Sequence, residues 1–421
     1  MYAFAAFASV ATLVVAVPIF IVFGLGSSII AVGGLHLPWS TLIQTSFGAL
    51  TKQVLLAIPM FIFAGHLMLR AGVSRRLVDF SVALVGHLPG GLGLAMVLAL
   101  SFFAAFCGSV LAAITAVGMI LLPRMIKSGY PKPFSAILAV KAGSLEGLIP
   151  PSNAAILFSA IAEVPVSKTF AAGLLPAFVL MGLLSAYVVF ACRHMERPAR
   201  ATLAVRWQTF RSAIPGLITP VIIMGGIYTG IFTPTEAAAV AATWAIIVGI
   251  FVHRELTLDG FCQALRSTVV ATAAIFSIIA MASFLSVVLT YTRGPQQLIE
   301  FFIDFGIDQT TFLLMVAVIC LILGTLIEVV PIFYLTLPVF LPLVSALNID
   351  IYHFYITFTA FVGLGLLTPP VCVGVYTAAA VLEEQPQTLF SAIPPFLAVG
   401  IIYGLIMMFV PIIPSFLPNL Y

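Results

Sequence analysis

Residues 141–155 read Lys-Ala-Gly-Ser-Leu-Glu-Gly-Leu-Ile-Pro-Pro-Ser-Asn-Ala-Ala and lie inside a mostly apolar run, 134–162. Two consecutive prolines remove two amide donors and clash with preceding carbonyls, so a helix formed by this run must break at Pro150-Pro151. The run is long enough to cross a bilayer. Irregular backbone at membrane depth is tolerated only where protein or a watery cavity surrounds it. The stretch therefore predicts a transmembrane helix broken at an internal site, with a plain structural kink as the alternative.

The same arrangement recurs later in the chain. Pro369-Pro370 follows Pro150-Pro151 by 219 residues, and Leu341-Pro342 follows Leu122-Pro123 by the same interval. Landmarks repeated at one spacing indicate a duplicated unit, which in transporters is often built around broken helices. We therefore predict an all-α polytopic membrane protein with two repeats. The predicted divisions are a first repeat at 1–205 (hairpin near 91–126, broken helix near 134–162), a connecting span at 206–233, and a second repeat at 234–421 (hairpin near 311–346, broken helix near 354–382).

The distribution of charge predicts that the two repeats are inverted relative to each other. Residues 1–211 contain 14 Lys and Arg against 4 Asp and Glu, whereas residues 212–421 contain 3 against 10. Because Lys and Arg are retained on the cytoplasmic side, equivalent loops of the two halves should face opposite sides of the membrane. The connector 193–211, with five arginines, is expected in the cytoplasm. Counting spans from it places the amino terminus inside and the carboxyl terminus outside.

The composition agrees with a membrane protein. Of the 421 residues, 62% are hydrophobic and 7% are charged, with a mean hydropathy of +1.23, whereas about a quarter of the residues in soluble domains are charged. Soluble enzymes and nucleic-acid binders are thereby excluded. Five cysteines without a Cys-x-x-Cys pair indicate neither a disulfide framework nor a zinc site. Nine full spans are predicted, near 9–35, 54–69, 134–162, 170–192, 213–231, 234–253, 268–291, 354–382 and 389–412.

The start of the second half carries a helix-capping signature. Thr233-Pro234-Thr235-Glu236 places Thr at the N-cap, Pro at the first helical position and Glu at the third. Such a box pairs amides that would otherwise lack acceptors. We therefore assign Glu236 a structural role.

The connections within the two apolar pairs are the other candidate site elements. Cys107-Gly108-Ser109 joins the first pair and Gly324-Thr325-Leu326-Ile327-Glu328 joins the second, in each case without a polar loop. If the pairs are re-entrant hairpins, their tips would meet the broken helices and supply carbonyl oxygens to an ion, since freed carbonyls and Ser/Thr hydroxyls are natural sodium ligands. Two full spans for each pair are the alternative.

Longer stretches resemble a known family. Residues 225–239, Gly-Gly-Ile-Tyr-Thr-Gly-Ile-Phe-Thr-Pro-Thr-Glu-Ala-Ala-Ala, are similar to the central signature of the large membrane subunit of tripartite ATP-independent periplasmic (TRAP) transporters. Residues 58–65 and 72–80 and both double-proline stretches resemble the same family. The resemblance covers essentially the whole chain.

The resemblance implies a sodium-coupled, elevator-type importer in the bacterial inner membrane. A small four-helix membrane subunit would support this chain, and a periplasmic binding protein would deliver a small organic anion or zwitterion. Neither enzymatic activity nor a cofactor other than the coupling sodium ions is expected. The resemblance implies that sodium binds at the two tips and the two breaks, with the solute between them. The candidate sodium residues are Cys107, Gly108, Ser109, Gly147, Pro150, Ser152, Gly324, Thr325, Gly365 and Thr368, and the candidate solute residues are Lys141, Glu146, Asn153, Glu328 and Cys372.

The chain departs from the family at this site. Relatives usually have glycine at the position of Glu146 and a small residue at that of Lys141, and Glu328 stands where an aspartate is usual. A buried charge needs a partner, so we expect Lys141 and Glu146 to pair with each other, with the solute or with water. Contact with the solute would favour an amino-bearing anion over a plain dicarboxylate.

The sequence fits other classes of function less well than it fits a transporter. The sequence contains no His-Glu-x-x-His, no Gly-x-Ser-x-Gly and no pair of intramembrane aspartates, which disfavours an intramembrane enzyme. A channel or a scaffold subunit would lack sodium-dependent, saturable uptake. The nearest alternative transporter is a self-sufficient sodium- or proton-coupled carboxylate carrier, which would need no binding protein.

Overall fold

The computed structural model describes residues 2–15, 17–195 and 199–420, and within these ranges the chain is helical without a strand. The helices are α1 (Tyr2–Val14), α2 (Ile19–Gly33), α3 (Trp39–Leu50), α4 (Ala57–Arg70), α5 (Val73–Val85), α6 (Gly91–Cys107), α7 (Val110–Lys127), α8 (Lys132–Gly143), α9 (Asn153–Ala162), α10 (Val166–Ala191), α11 (Leu203–Tyr228), α12 (Pro234–Ile247), α13 (Leu258–Tyr291), α14 (Gly294–Asp304), α15 (Gln309–Leu326), α16 (Val329–Ala346), α17 (Ile351–Gly365), α18 (Val373–Leu382), α19 (Pro386–Leu389), α20 (Ile393–Phe409) and α21 (Ile412–Ser415).

The predicted class of fold, an all-α polytopic membrane protein, is confirmed. Nine helical segments within the described residues are long and apolar enough to cross a bilayer. Six of them correspond to predicted spans, and the other three are α7, α15 and α16, which are arms of the two predicted pairs. Length alone does not separate hairpin arms from full spans, because α15 and α16 each have 18 residues.

The predicted first span is wrong. Instead of one crossing over 9–35, the structure has α1 and α2, and an ideal Cβ on Gly26 would lie 2.3 Å from the Ser9 hydroxyl oxygen. Residues so far apart in one straight helix cannot touch, so α1 folds back against α2. Pro18, the N-cap of α2, stands at the bend because it cannot donate an amide hydrogen bond to the preceding turn. The span count that placed the amino terminus in the cytoplasm therefore loses its basis.

The helices pack in two groups that enclose the candidate site. In the first group, α13 packs against α2, α3 and α4, and α4 also packs against α12. In the second, the paired helices α6, α7, α15 and α16 pack with the broken segments α8, α9, α17 and α18. Helices from the two halves of the sequence interleave there, since α16 packs on α9 and α18 packs on α7. The two groups meet where α4 contacts α6 and α9 and where α13 contacts α16.

Two helix starts that bear on the site are capped as their sequences require. At α12 the Thr233 side chain accepts from the Glu236 amide and the Glu236 carboxylate accepts from the Thr233 amide, so the predicted capping box is confirmed. At α13 the Thr257 hydroxyl accepts from the Gly260 amide at 3.1 Å. Helix α13 therefore begins ten residues before the span expected at 268–291, because the apolar run underestimates a helix whose first turns are polar.

Candidate functional site

The first double proline ends one helix and allows another to start. Helix α8 stops at Gly143, a 3-10 turn spans Ser144–Gly147, and the Pro150-Pro151 bond is cis. Ser152 then caps α9, its hydroxyl accepting from the Ala155 amide at 3.5 Å. The break thus leaves short stretches of non-helical backbone inside a tightly packed part of the chain.

The first hairpin tip is tied to this break by a side chain. Helix α6 ends at Cys107, and Gly108 adopts φ +62°, the left-handed conformation that closes a helix and favours glycine. The Asn153 side-chain amide donates to the Gly108 carbonyl at 2.5 Å. A Cβ on Gly108 would lie 2.8 Å from that same amide nitrogen. Glycine at position 108 is therefore required by backbone conformation and by space.

The second tip meets the second break through the main chain. The Val371 amide donates to the Thr325 carbonyl at 3.1 Å. A Cβ on Gly365 would lie 2.2 Å from the Gly324 Cα, so the backbones of α15 and α17 touch directly. Gly324 and Thr325 are still within α15, and the connection between the paired helices is Ile327-Glu328. The expected tip at Gly324-Thr325 is thus displaced toward Glu328, because the helix continues through those residues.

One cavity of about 540 Å³ lies where the two groups of helices meet. Its walls come from α4 and α13 on one side, and from the first tip, the first break, the start of α16 and the end of α17 on the other. Its side chains with polar or sulfur atoms are His66, Cys107, Ser109, Ser144, Glu146, Asn153, Arg266, Ser267, Glu328 and Thr359. The cavity brings together residues that are far apart in sequence.

The predicted site residues divide between this cavity and its surroundings. Those that line it are Cys107, Gly108, Ser109, Glu146, Gly147, Asn153 and Glu328. Those that do not are Lys141, Pro150, Ser152, Gly324, Thr325, Gly365, Thr368 and Cys372. Five of the latter, Gly324, Thr325, Gly365, Thr368 and Cys372, belong to the second tip and the second break, so every candidate from the second half except Glu328 lies outside the cavity lining.

Nearly the whole sequence matches the profile of one protein family. The profile of the family "Tripartite ATP-independent periplasmic transporter, DctM component" matches residues 6–413. The chain belongs to this family. The resemblance found in residues 225–239 is therefore confirmed across nearly the full length.

Two curated TRAP proteins illustrate the similarity. The "C4-dicarboxylate TRAP transporter large permease protein DctM" of Pseudomonas aeruginosa is 38% identical over 367 residues, which cover 87% of this chain and 86% of that protein. The "Isethionate TRAP transporter permease protein DctMQ" of Oleidesulfovibrio alaskensis is 34% identical over 411 residues, covering 96% of this chain and 64% of that longer protein.

A solved structure supports the fold of this TRAP family member. The YdaH transporter of Alcanivorax borkumensis superposes with a TM-score of 0.58 at 16% sequence identity, covering 90% of this chain and 89% of that one. At this identity the likeness concerns the fold alone.

Of the three kinds of partner expected for Lys141 and Glu146, the pairing with each other is not formed in this TRAP permease. Four ion pairs occur among the described residues, and neither side chain takes part in any of them. Lys141 is buried within the second group of helices, its amine 3.0 Å from where a Cβ on Gly400 would stand. Glu146 instead lines the cavity. They are five positions apart, with Lys141 in the last turn of α8 and Glu146 in the 3-10 turn that follows it, so the two side chains point in different directions.

Sequence reasoning missed two ionisable cavity residues of this TRAP permease, Arg266 and His66. Arg266 falls just before the predicted span 268–291, yet it lies within α13 and lines the cavity. His66 belongs to none of the predicted site elements, yet it lines the cavity from α4. Neither belongs to a repeated motif. The one available signal was Thr257, whose capping role extends α13 back past Arg266.

Proposed function

We propose that this chain is the large transmembrane subunit of a sodium-coupled tripartite importer in the bacterial inner membrane. It would receive a small organic anion or zwitterion from a periplasmic solute-binding protein, with a small four-helix membrane subunit beside it. The observation that carries the proposal is the cavity of about 540 Å³ at which the first tip, the first break, the start of α16 and the end of α17 converge. Membership of a family described as tripartite and periplasmic supports the partners.

Sodium would bind through oxygen atoms at the tips and breaks. Gly108, Ser109 and Gly147 line the cavity. The Gly108 and Gly147 carbonyls each accept one hydrogen bond, from Asn153 and Tyr355, and a carbonyl oxygen has a second lone pair that would be available to the ion. In the second half, Thr368 and the Thr325 carbonyl lie at the contact between tip and break. Carbonyl and hydroxyl oxygens at unwound helix ends are suitable ligands for a hard monovalent cation. Ion binding there would draw each tip against its break and complete the solute site.

Transport would follow from movement of one group of helices against the other. We propose that α6–α9 and α15–α18 move as a body past α4, α12 and α13, which is an elevator mechanism. A ligand drives such a change only through its different affinity for the two states. Sodium entering a negative interior supplies about 2.3 kcal/mol per charge per 100 mV. The cavity lies between the two groups, where relative movement would expose it to either side.

The names of the relatives support a small anion as the solute. One relative is named for C4-dicarboxylates and the other for isethionate, and both of these solutes are anionic. The presence of Arg266 in the cavity wall agrees with an anion. Glu146 and Glu328 also line the cavity. These two acids would repel a solute that carries negative charge at both ends.

The test is solute uptake into proteoliposomes containing this chain and its small subunit, with and without a sodium gradient and the binding protein. Uptake that requires both is expected. Uptake with sodium but without the binding protein would replace the proposal by a self-sufficient carrier. A matched and correctly loaded binding protein with no uptake under any gradient would reject transport by this pair of subunits.

A further inference from the structure

We propose that the cavity selects a solute with two unlike ends: an anionic group held by Arg266, and an ammonium or other N–H donor held by Glu146 and Asn153. This inference rests on the proposed function and narrows its substrate class. It assigns Arg266 as a binding residue contributed by α13, a helix outside the group that contains the tips and breaks.

The donor end of the solute is specified by two buried acceptors that lack partners. Glu146 is 4% exposed and Asn153 is 7% exposed, and both line the cavity. The Glu146 Oε1 and Asn153 Oδ1 atoms have no hydrogen-bond partner in the described chain. Because the Asn153 nitrogen donates to the Gly108 carbonyl, its oxygen is the atom left to accept. Unpaired buried acceptors are costly and rare in native proteins, so a donor is expected to fill this corner.

The anionic end is specified by Arg266. Its side chain lines the cavity from α13, next to Ser267, and is exposed. It takes part in none of the ion pairs found among residues 2–15, 17–195 and 199–420. A guanidinium offers a rigid fork of donors that matches a carboxylate or sulfonate. The other ionisable groups of the cavity wall are His66, Cys107 and Glu328.

The positive and negative side chains that line the cavity belong to different groups of helices. Arg266 belongs to α13, whereas Glu146 and Glu328 belong to the first break and the start of α16. A plain dicarboxylate oriented by Arg266 would bring its second carboxylate toward these acids. Such a like-charge contact rejects one ligand while a complementary contact retains another. A solute with a carboxylate at one end and an ammonium at the other would pair with Arg266 through the first and with Glu146 through the second.

The test uses two probes that differ only in one end group, glutarate and 4-aminobutyrate. Each has a carboxylate and a three-methylene spacer, and the other end is a carboxylate or an ammonium. Binding to the purified complex of this chain with its small subunit is measured in sodium, as the rise in unfolding temperature over a concentration series. We expect 4-aminobutyrate to stabilise the complex at concentrations at least about tenfold lower than glutarate, the range given by losing one partner of a buried charge contact.

Three variants separate the roles. Glu146→Gln should abolish the preference between the two probes. Arg266→Gln should weaken the response to both of them about tenfold or more. Arg211→Gln is the matched control, since Arg211 is an exposed arginine on α11 away from the cavity and should behave as the wild type.

The outcomes distinguish this inference from the proposed function. An equal response to the two probes, including none to either, would overturn the inference. So would a Glu146→Gln variant that loses stabilisation by sodium alone while keeping its probe preference, because the acceptors would then hold the ion. Sodium-dependent uptake of some solute by the wild type, measured with its binding protein, leaves the proposed function standing in either case.

Discussion

The Tyr355 hydroxyl donates a hydrogen bond to the Gly147 carbonyl at 3.1 Å, joining residues 208 positions apart in the sequence. Tyr355 lies on α17, the first part of the second broken helix, and Gly147 lies in the 3-10 turn of the first. Both residues are buried, and the Tyr355 ring packs on Phe158 of α9 with centroids 4.6 Å apart. A carbonyl freed by the first break is thus satisfied by the opposite half of the chain.

Replacing Tyr355 by Phe should destabilise the protein. The Gly147 carbonyl would lose its donor in a buried place, which costs about 1–3 kcal/mol. We expect a lower unfolding temperature of the purified complex and weaker stabilisation by sodium. Tyr376→Phe is the control, because Tyr376 is exposed on α18. Equal unfolding temperatures for the two variants would contradict a structural role for the hydrogen bond.

Replacing Asn153 by Ala should release the first hairpin tip. The variant lacks the donor to the Gly108 carbonyl, so Cys107, which is 5% exposed, should become accessible. The rate of Cys107 alkylation by a small maleimide is measured in a background in which the exposed Cys262 is changed to Ser. An increase of several-fold is expected, with Asn419→Ala as a surface control. An unchanged rate would mean that the tip is held closed by other contacts.

Replacing Gly365 by Ala should be strongly disruptive. Its Cβ would stand 2.2 Å from backbone atoms of Gly324, so α15 and α17 would have to separate. Gly182→Ala offers the opposite case, because that helical glycine has open space within 4 Å, and alanine there should stabilise by up to about 1 kcal/mol. Yield in the membrane and the unfolding temperature are the measurements. A Gly365→Ala complex as stable as the Gly182→Ala complex would refute the close backbone contact.

Protonation of His253 should lower the stability of the protein as the pH falls. His253 follows the last turn of the span ending at Val252. Its Nδ1 donates to the Ala71 carbonyl at 2.8 Å, and its buried Nε2 has no partner in the described chain. Burial, followed by smaller contributions that include Arg76, lowers the pKa of His253 below its usual 6.5. The unfolded chain therefore binds more protons than the folded one as the pH falls past 6.5, and folding loses stability.

The measurement for His253 is the unfolding temperature between pH 7.5 and 5.5. His253→Gln retains a side-chain donor for Ala71 without a titrating ring, so it should reduce the pH dependence by the share that His253 contributes. His194→Gln, in the exposed connector, should leave it as in the wild type. A wild-type slope preserved in His253→Gln would assign the pH effect to other groups.

The breaks could be predicted because their cause is local. Two prolines end a helix wherever they occur, and the structure interrupts both runs at Pro150-Pro151 and Pro369-Pro370. The capping box at Thr233 is likewise a matter of four neighbouring residues. The fold class followed from hydropathy. The division into inverted repeats stays a prediction, since it concerns descent and orientation rather than local geometry.

The cavity wall could not be predicted as well, because it depends on contacts between distant helices. Arg266 and His66 belong to helices outside the repeated motifs, and only packing brings them to the same cavity as Glu146. Lys141 was predicted to belong to the site, yet it does not line the cavity. A partner was expected because a buried charge needs one, but residues five positions apart do not face each other on a helix, and Glu146 lies in the 3-10 turn that follows α8. Hydropathy also joined α1 and α2 into one span, since a bend at Pro18 adds no polar residue.

The two tips are secured by different parts of the chain, a side chain at Gly108 and the main chain at Thr325. A main-chain bond does not depend on which side chains flank it. In directed evolution, libraries at residues 327–330 should therefore retain closure while altering the acid that faces the cavity. Libraries that include Asn153 should yield mostly inactive variants. The second tip is accordingly the place at which this permease could acquire a new solute by few mutations.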